Sequence, residues 1–321
     1  MEEDYPRSLE EFEARFRTDA ACLEYMIKLR WPDGFRCPQC GGFEAWQTTA
    51  AACRIVGAAV HRHRFTAGTI FHGSRKPLLL WFRAMWHITS QKYGANALGL
   101  QRVLDLGSYE TAWQWLHKLR RAMVRPGRDQ LSGCVQVDET YVGGRKKPGK
   151  RGRGAAGKAI VAMAVEDKGE DGIGRIRLEH IPDASSDSLS GFVGTMVAKG
   201  SAVKTDDWSG YLGLPSLGYQ RWIMKPEELV LPHFVASLLK RWLLGTYQGA
   251  VKPTHLAYYL DEFTFRFNRR TSRSRGKLFY RLVQQALLVE PIPEKELKAV
   301  IPAADDEDFD DLEACDGNHN M

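Results

Sequence analysis

The 321-residue sequence has no uninterrupted apolar run close to the roughly 20 residues that a membrane span requires, so no membrane-spanning segment is expected. It also lacks an apolar leader. MEEDYPRSLEEFEARF is acidic and polar, unlike a secretory signal, and a soluble cytoplasmic protein is expected. Cysteine is scarce, with 6 in the whole chain, and Cys22, Cys134 and Cys315 stand isolated. Without an export signal, disulfides are not expected. A phosphate-gripping loop is missing as well. GKRGRGAAGK has the glycines and Lys158, but Ala159 stands where the Gly-x-x-x-x-Gly-Lys-Ser/Thr pattern needs a hydroxyl, which disfavours a nucleotide-binding enzyme.

A strong net charge is absent too: 45 basic and 39 acidic residues leave only +6. That sum hides a segregation. Residues 304–316, ADDEDFDDLEACD, form an acidic stretch, whereas RKKPGKRGRGAAGK (145–158) and RFNRRTSRSRGKLFYR (266–281) are strongly basic. Basic clusters suit a phosphate backbone, because each neutralised phosphate releases a counterion. DNA is therefore the expected partner. The expected contacts are Arg145, Lys146, Lys147, Arg151 and Arg153 in the first cluster, with Arg269 and Arg270 in the second. The acidic tail, residues 292–321, is expected to be disordered and free to compete for the basic surface.

Residues 1–70 read as two helices and a small metal-binding unit. Ser8 can cap a helix over SLEEFEARF, with Glu11 placed as its capping-box partner. A second helix is expected from Thr18 to Arg30, ahead of the Pro32-Asp33-Gly34 turn. FRCPQCGG then offers Cys37 and Cys40, and Cys53 follows thirteen residues after Cys40, a spacing that reads as half of a zinc ribbon. A second Cys-x-x-Cys would need a cysteine at position 56, which is Val56. His61 can complete the tetrahedron of a Zn²⁺ ion instead, with His63 as the alternative.

Residues 71–130 read as helical. PLLLWFRAMWHITSQKYG has one apolar face, and ANALGLQRVLDLGSYETAWQWLHKLRRAMV reads as helix, short turn and helix with Ser108 as a cap. This helix-turn-helix pattern buries Ala112, Leu116 and Leu119 and would offer Tyr109, Gln114, His117, Lys118 and Arg121 to DNA. Trp81, Trp86, Trp113 and Trp115 are expected in the core.

Residues 131–291 alternate strand and helix signals. CVQVDETYVGG, AIVAMAVED and GRIRLEHIP read as three strands, SSDSLSGFVGTMVAKG as a helix, SAVKTDD as a fourth strand, and the remainder as helices. That order fits an α/β fold of the RNase H-like kind, a sheet layered by helices. In it the middle of the first strand lies beside the end of the fourth, so Asp138 and Asp206 would meet. Two carboxylates so placed repel unless a cation lies between them, and hard oxygen donors suit Mg²⁺ or Mn²⁺. Strand alternation turns Glu139 to the opposite face.

The set RWPDGFRCPQCGG, TAGTIFHGSRKPL, SYETAW, VDETYVGG, KTDDWSGY, LKRWLLGTYQG and YLDEFTFRFNRR resembles the insertion-sequence transposases with an N-terminal zinc ribbon and an RNase H-like catalytic domain. The resemblance implies a metal-binding triad whose first two members are Asp138 and Asp206, with Asp207 a possible substitute for the latter. It implies a third member seven residues before a helical lysine, which gives His233 and Lys240, two turns apart on one face. Lys240 would hold a DNA phosphate. Asp261 and Glu262 are rivals for the third place. The interval between Asp206 and His233 looks short, as if a fifth strand and its loop had been trimmed. The implied activity is cleavage at terminal inverted repeats followed by strand transfer into target DNA, by at least a dimer. The alternative is a DNA-binding relic or repressor without catalysis.

Overall fold

The computed structural model describes residues 3–36, 41–43, 45–49, 52–55, 61–143, 158–249 and 251–298. Arg145, Lys146, Lys147, Arg151 and Arg153, the cysteines Cys37 and Cys40, and most of the acidic tail lie outside the described residues.

Two N-terminal helices begin at the expected caps. In α1 (Leu9–Arg15) the Ser8 hydroxyl accepts from the Glu11 amide, while the Glu11 carboxylate accepts from Arg7 N at 2.6 Å rather than from Ser8, so the box closes one residue early. Helix α2 (Asp19–Arg30) is capped by Thr18. Strands β1 (Ala45–Thr49), β2 (Ala52–Ile55) and β3 (His61–Arg64) then form a small antiparallel sheet in that order. Helices α3 (Leu78–Ser90), α4 (Ala97–Leu104) and α5 (Tyr109–Ala122) follow, with Asn96 and Ser108 capping the last two.

Strands β4 (Cys134–Val142), β5 (Ala159–Asp167) and β6 (Ile173–Ile181) form an antiparallel meander. Helix α6 (Ser186–Met196), capped by Ser185, crosses over to β7 (Ala202–Thr205) and β8 (Gln220–Ile223). The sheet order is β6-β5-β4-β7-β8, with β4, β7 and β8 parallel. The fold is α/β and RNase H-like. A fifth strand is present, so the segment that looked trimmed keeps its strand; the four residues of β8 follow a connection with 3-10 turns at Ser209–Tyr211 and Pro215–Leu217. After it come α7 (Val230–Tyr247), α8 (Leu256–Phe267), α9 (Arg275–Ala286) and the short α10 (Glu294–Lys298).

Each face of the sheet has its own core. Val135 and Val137 of β4 pack with α6, joined by Tyr211, Leu214 and Tyr219. The other face, with Val161, Met163 and Val165 of β5, is covered by α7 and α8. A third core has a composition the sequence segments did not suggest. It joins Phe12, Phe16 and Tyr25 from α1 and α2 with Trp81, Phe82, Trp115 and Leu116 from α3 and α5, and with Phe279, Leu282 and Val283 from α9. Helices expected in three separate segments thus build one body. The basic stretch 266–281 contributes to it because Leu278, Phe279, Leu282 and Val283 recur at helical spacing and outweigh its charge. In α10, at the start of the tail expected to be disordered, Leu297 is fully buried.

Candidate active site

Asp138 lies mid-strand in β4, on the face covered by α7. The parallel pairing with β7 ends at Gln136 and Lys204, and Asp206 follows just past the end of β7, near enough for its charge to act on the Asp138 carboxyl. His233 reaches the same spot from the first turns of α7, with Nε2 at 3.2 Å from Asp138 Oδ2. The structure therefore brings together residues from three distant parts of the chain. Lys240, two turns beyond His233 on α7, is exposed; desolvation lowers its ammonium pKa, and the positive charge of Lys158 adds to that, while Asp138 opposes.

The electrostatics of Asp138 follow from its position. Burial, and then the adjacent Glu139 charge, push its carboxyl up to about 6, and Asp206 adds to the repulsion. The Glu139 amide, which donates to Asp138 Oδ1 at 2.8 Å, and His233 pull the other way. Glu139 itself lies on the opposite face, where the buried Tyr211 hydroxyl donates to its Oε2 at 3.0 Å. Asp206 is held at its backbone and its side chain. Its carbonyl accepts from Arg221 Nη2 at 2.9 Å, and its Oδ1 accepts from Trp208 N at 3.2 Å. Arg221, on β8, also donates to Thr205 Oγ1 at 3.0 Å and so pins the loop that carries Asp206. No sequence pattern pointed to Arg221, because its role depends on β8 lying beside β7. Asp207 is exposed and borders an open cleft of about 560 Å³ with Asp206, Trp208 and Lys225.

The donor set fits a hard divalent cation in its chemistry: Asp138, partly buried on β4, and Asp206 just past the end of β7, whose charges repel. The fit is that of a two-carboxylate site with an imidazole beside it. Among the described residues no three His, Cys, Asp or Glu side chains are gathered closely enough to hold a metal, and His233 lies against Asp138 itself. For zinc, the β2–β3 register sets Cys53 opposite His63, and Ile55 opposite His61.

Other expected residues divide sharply. Glu262 is fully buried between Arg120 and Arg266, each with Nε at 2.9 Å, and is remote from Asp138 in role: it closes a structural ion network. His117, read as offered to DNA, is fully buried against Trp113, His255, Tyr258 and Tyr259, so it cannot reach a groove. Helix α5 packs against α4, α8 and α9, which leaves Tyr109 and Arg121 exposed and Lys118 and Gln114 partly so. Arg121 stands 3.5 Å from Asp261. Arg269 is half-buried, lying over Phe265 at 4.0 Å and donating to its carbonyl, whereas Arg270 is exposed, lying over Phe267 at 4.3 Å and donating to the carbonyls of Ile173 and Gly174. The Arg270 guanidinium ties the end of α8 to β6.

The sheet is RNase H-like, with Asp138 on β4 and Asp206 just past the end of the neighbouring parallel strand β7. Residues 130–268 match the ISXO2-like transposase domain, and residues 17–65 match the transposase zinc-ribbon domain; together they span more than half of the chain. The chain belongs to the insertion-sequence transposases that carry a zinc ribbon ahead of their transposase domain. No curated protein matches it. Among solved structures, a chain of the simian T-cell lymphotropic virus intasome in complex with PP2A regulatory subunit B56 gamma is 14% identical. The match covers 61% of this chain and 74% of that one at a TM-score of 0.29, too distant to bear on the site. Among the described residues no helix is long and apolar enough to cross a membrane.

Proposed function

We propose that this protein is a DNA transposase that cuts phosphodiester bonds at the terminal inverted repeats of its element and joins the freed 3′-hydroxyls to target DNA. The observation that supports this is Asp138 on β4 with the His233 imidazole 3.2 Å away and the Asp206 charge, just past the end of β7, near enough to raise its carboxyl. Asp138 and Asp206 would hold Mg²⁺ or Mn²⁺, with His233 as the third donor. The metal supplies Lewis acidity for in-line displacement at phosphorus. In the first reaction a water oxygen bonds to phosphorus as the P–O3′ bond breaks, leaving a 3′-hydroxyl and a 5′-phosphate. In the second that hydroxyl attacks a target phosphate and displaces a target 3′-oxygen, so no covalent protein intermediate is required.

The chain's own groups have separate tasks. Arg221 fixes the backbone of Asp206, and Tyr211 secures Glu139 so that its charge stays on the far face. Lys240 is exposed on the His233 side of α7 and supplies a cation for the DNA phosphate. In the ribbon, Cys37, Cys40 and Cys53 would bind Zn²⁺, and we assign the fourth position to His63, the register partner of Cys53, rather than His61. Two element ends imply at least a dimer on DNA.

One observation favours a second reading, a DNA-binding relative without cleavage: His233 is engaged with Asp138, and no three donors are gathered for a metal among the described residues. A labelled DNA carrying the element's end, incubated with Mg²⁺ or Mn²⁺, separates the two. Nicking at the end by the unaltered protein, lost in Asp138→Asn and His233→Ala, is expected. Specific binding without nicking under either metal would leave only the second reading.

A further inference from the structure

The three elements that meet at Asp138 are also joined one pleat below it. On β4, Gln136 precedes Asp138 by two residues on the same face and is 6% exposed. On β7, its register partner Lys204 precedes Asp206 by two. At the end of β5, Asp167 bridges them: its Oδ2 accepts from Lys204 Nζ at 2.9 Å and from Gln136 Nε2 at 3.1 Å. The other half of the Gln136 amide faces α7, where Oε1 accepts from Leu231 N at 3.2 Å. Leu231 in turn precedes His233 by two residues.

That last hydrogen bond answers a need of the helix. The first four N–H groups of an α-helix have no partner within it. Leu229, at the start of α7, provides no side-chain cap. The missing acceptor comes from a different strand. The primary amide of Gln136 meets both demands, with a donor at Nε2 and an acceptor at Oε1. Asp167 is an acceptor and requires a donor, whereas the Leu231 N–H requires an acceptor. A carboxylate there would oppose Asp167, and an ammonium could not accept from Leu231.

We propose that Gln136 is a positioning residue, tied by Asp167 and Lys204, that anchors the first turn of α7 and so sets His233 against Asp138. It touches neither DNA nor the reacting phosphate. Its effect on cleavage rests on the transposase reading above, but its effect on α7 does not.

The test measures hydrogen exchange over residues 230–236 of the full-length protein, alongside single-turnover cleavage and DNA affinity. In Gln136→Met, which keeps the shape and loses the amide, exchange in that turn should accelerate about tenfold, the worth of one such bond, with β5 and α8 unchanged. Cleavage should fall on the order of tenfold to a hundredfold while DNA affinity holds, as for a small displacement of a reacting group. Gln136→Glu should have the same effect because two carboxylates then face each other. Adding Asp167→Asn to Gln136→Glu exchanges donor and acceptor, and should restore protection of the turn and most of the cleavage. Unchanged exchange in Gln136→Met, protection lost throughout the protein, or failure of the double variant to recover would each overturn the proposal. If the unaltered protein cuts no DNA, the transposase reading falls, and exchange over 230–236 decides the tie by itself.

Discussion

Asp138-Glu139 on β4 and Asp261-Glu262 on α8 are both pairs of adjacent acids set in apolar elements, and the protein treats them in opposite ways. Glu262 is fully buried, yet its carboxyl is held below the ordinary range: burial pushes it up, and the charges and hydrogen bonds of Arg266 and Arg120 together outweigh that. Tyr247 donates a further hydrogen bond at 3.2 Å. The same arginines reach across to the helical body, Arg120 to the Ala95 carbonyl at 3.3 Å and Arg266 to the Gln91 carbonyl at 2.9 Å. Beside them, Trp242 and Thr246 of α7 both donate to the Tyr93 carbonyl, at 2.7 and 2.9 Å. Glu262 thus closes a joint between the helical body and the catalytic sheet. Asp138 is left with a half-exposed histidine and two more carboxylates nearby.

A raised carboxyl alone does not mark a functional site. Asp261 is pushed up to about 7 by burial, against the charges of Arg121 and Arg128, and no other carboxylate contributes to its shift. What sets Asp138 apart is the repulsion from Glu139 and from Asp206, just past the end of the next strand. Saturated charge serves the fold, whereas paired, under-neutralised charge leaves a place for a cation.

The most severe way to break this contrast is Glu262→Gln. It strands two buried guanidiniums, and the loss should be about 3–5 kcal/mol in urea unfolding. A loss under about 1 kcal/mol would mean the joint is not held by charge. Asp138→Asn should have the opposite sign. Its folded carboxyl sits at about 6, above the unfolded value, so its contribution is full at pH 4 and is lost as pH rises through 6. At pH 7.5 the variant should gain about 2 kcal/mol while losing cleavage, and the gain should vanish near pH 4. Destabilisation at pH 7.5 would place Asp138 in the same class as Glu262.

His117 sharpens the comparison as a buried group with no charge partner. Both of its ring nitrogens lack a hydrogen-bond partner among the described residues, and burial, helped by Arg120 and His255, pushes its pKa down to about 2. The unfolded chain takes up a proton below about 6.5 and the folded chain does not, so stability is full above that pH and falls as pH drops towards 2. His117→Phe should therefore be more stable than the original by roughly 2 kcal/mol at pH 5, beyond any difference at pH 7.5. Equal acid sensitivity in the two proteins would contradict this. The smallest effect concerns the exposed Arg121 of α5 and the half-buried Arg269 that follows α8. Arg121→Ala should reduce the slope of log affinity for DNA against log salt by about one, and Arg269→Ala should leave it unchanged. Equal slopes for the two variants would remove the distinction between outward and inward arginines.

Much of the fold was legible because its signals are local. Ser8, Thr18, Ser108 and the glycine and proline turns mark helix ends, and β-branched runs mark β4, β5 and β6 with the alternation that puts Asp138 and Glu139 on opposite faces. Less legible was β8, four mostly exposed residues with no alternation to read. The burial of His117 was hidden because its helix is covered by α8 and α10 from far along the chain, and α5 taken alone leaves that face open. The engagement of Arg269 with Phe265 of its own helix and of Arg270 with backbone carbonyls of β6 was hidden too, because no side-chain pattern reveals a backbone acceptor.

The sequence by itself determined the elements, their order and the residue types at the site, because capping, periodicity and turn chemistry act within a few residues. Tertiary structure alone decided which charges meet. The parallel pairing of β4 with β7 brings the Asp206 charge near Asp138, Gln136 holds the start of α7, and the folding of α9 back onto α1 and α3 makes one body of three segments. Neutralisation of a carboxylate depends on what lies within a few ångströms of it, and those neighbours come from strands and helices far apart in the chain.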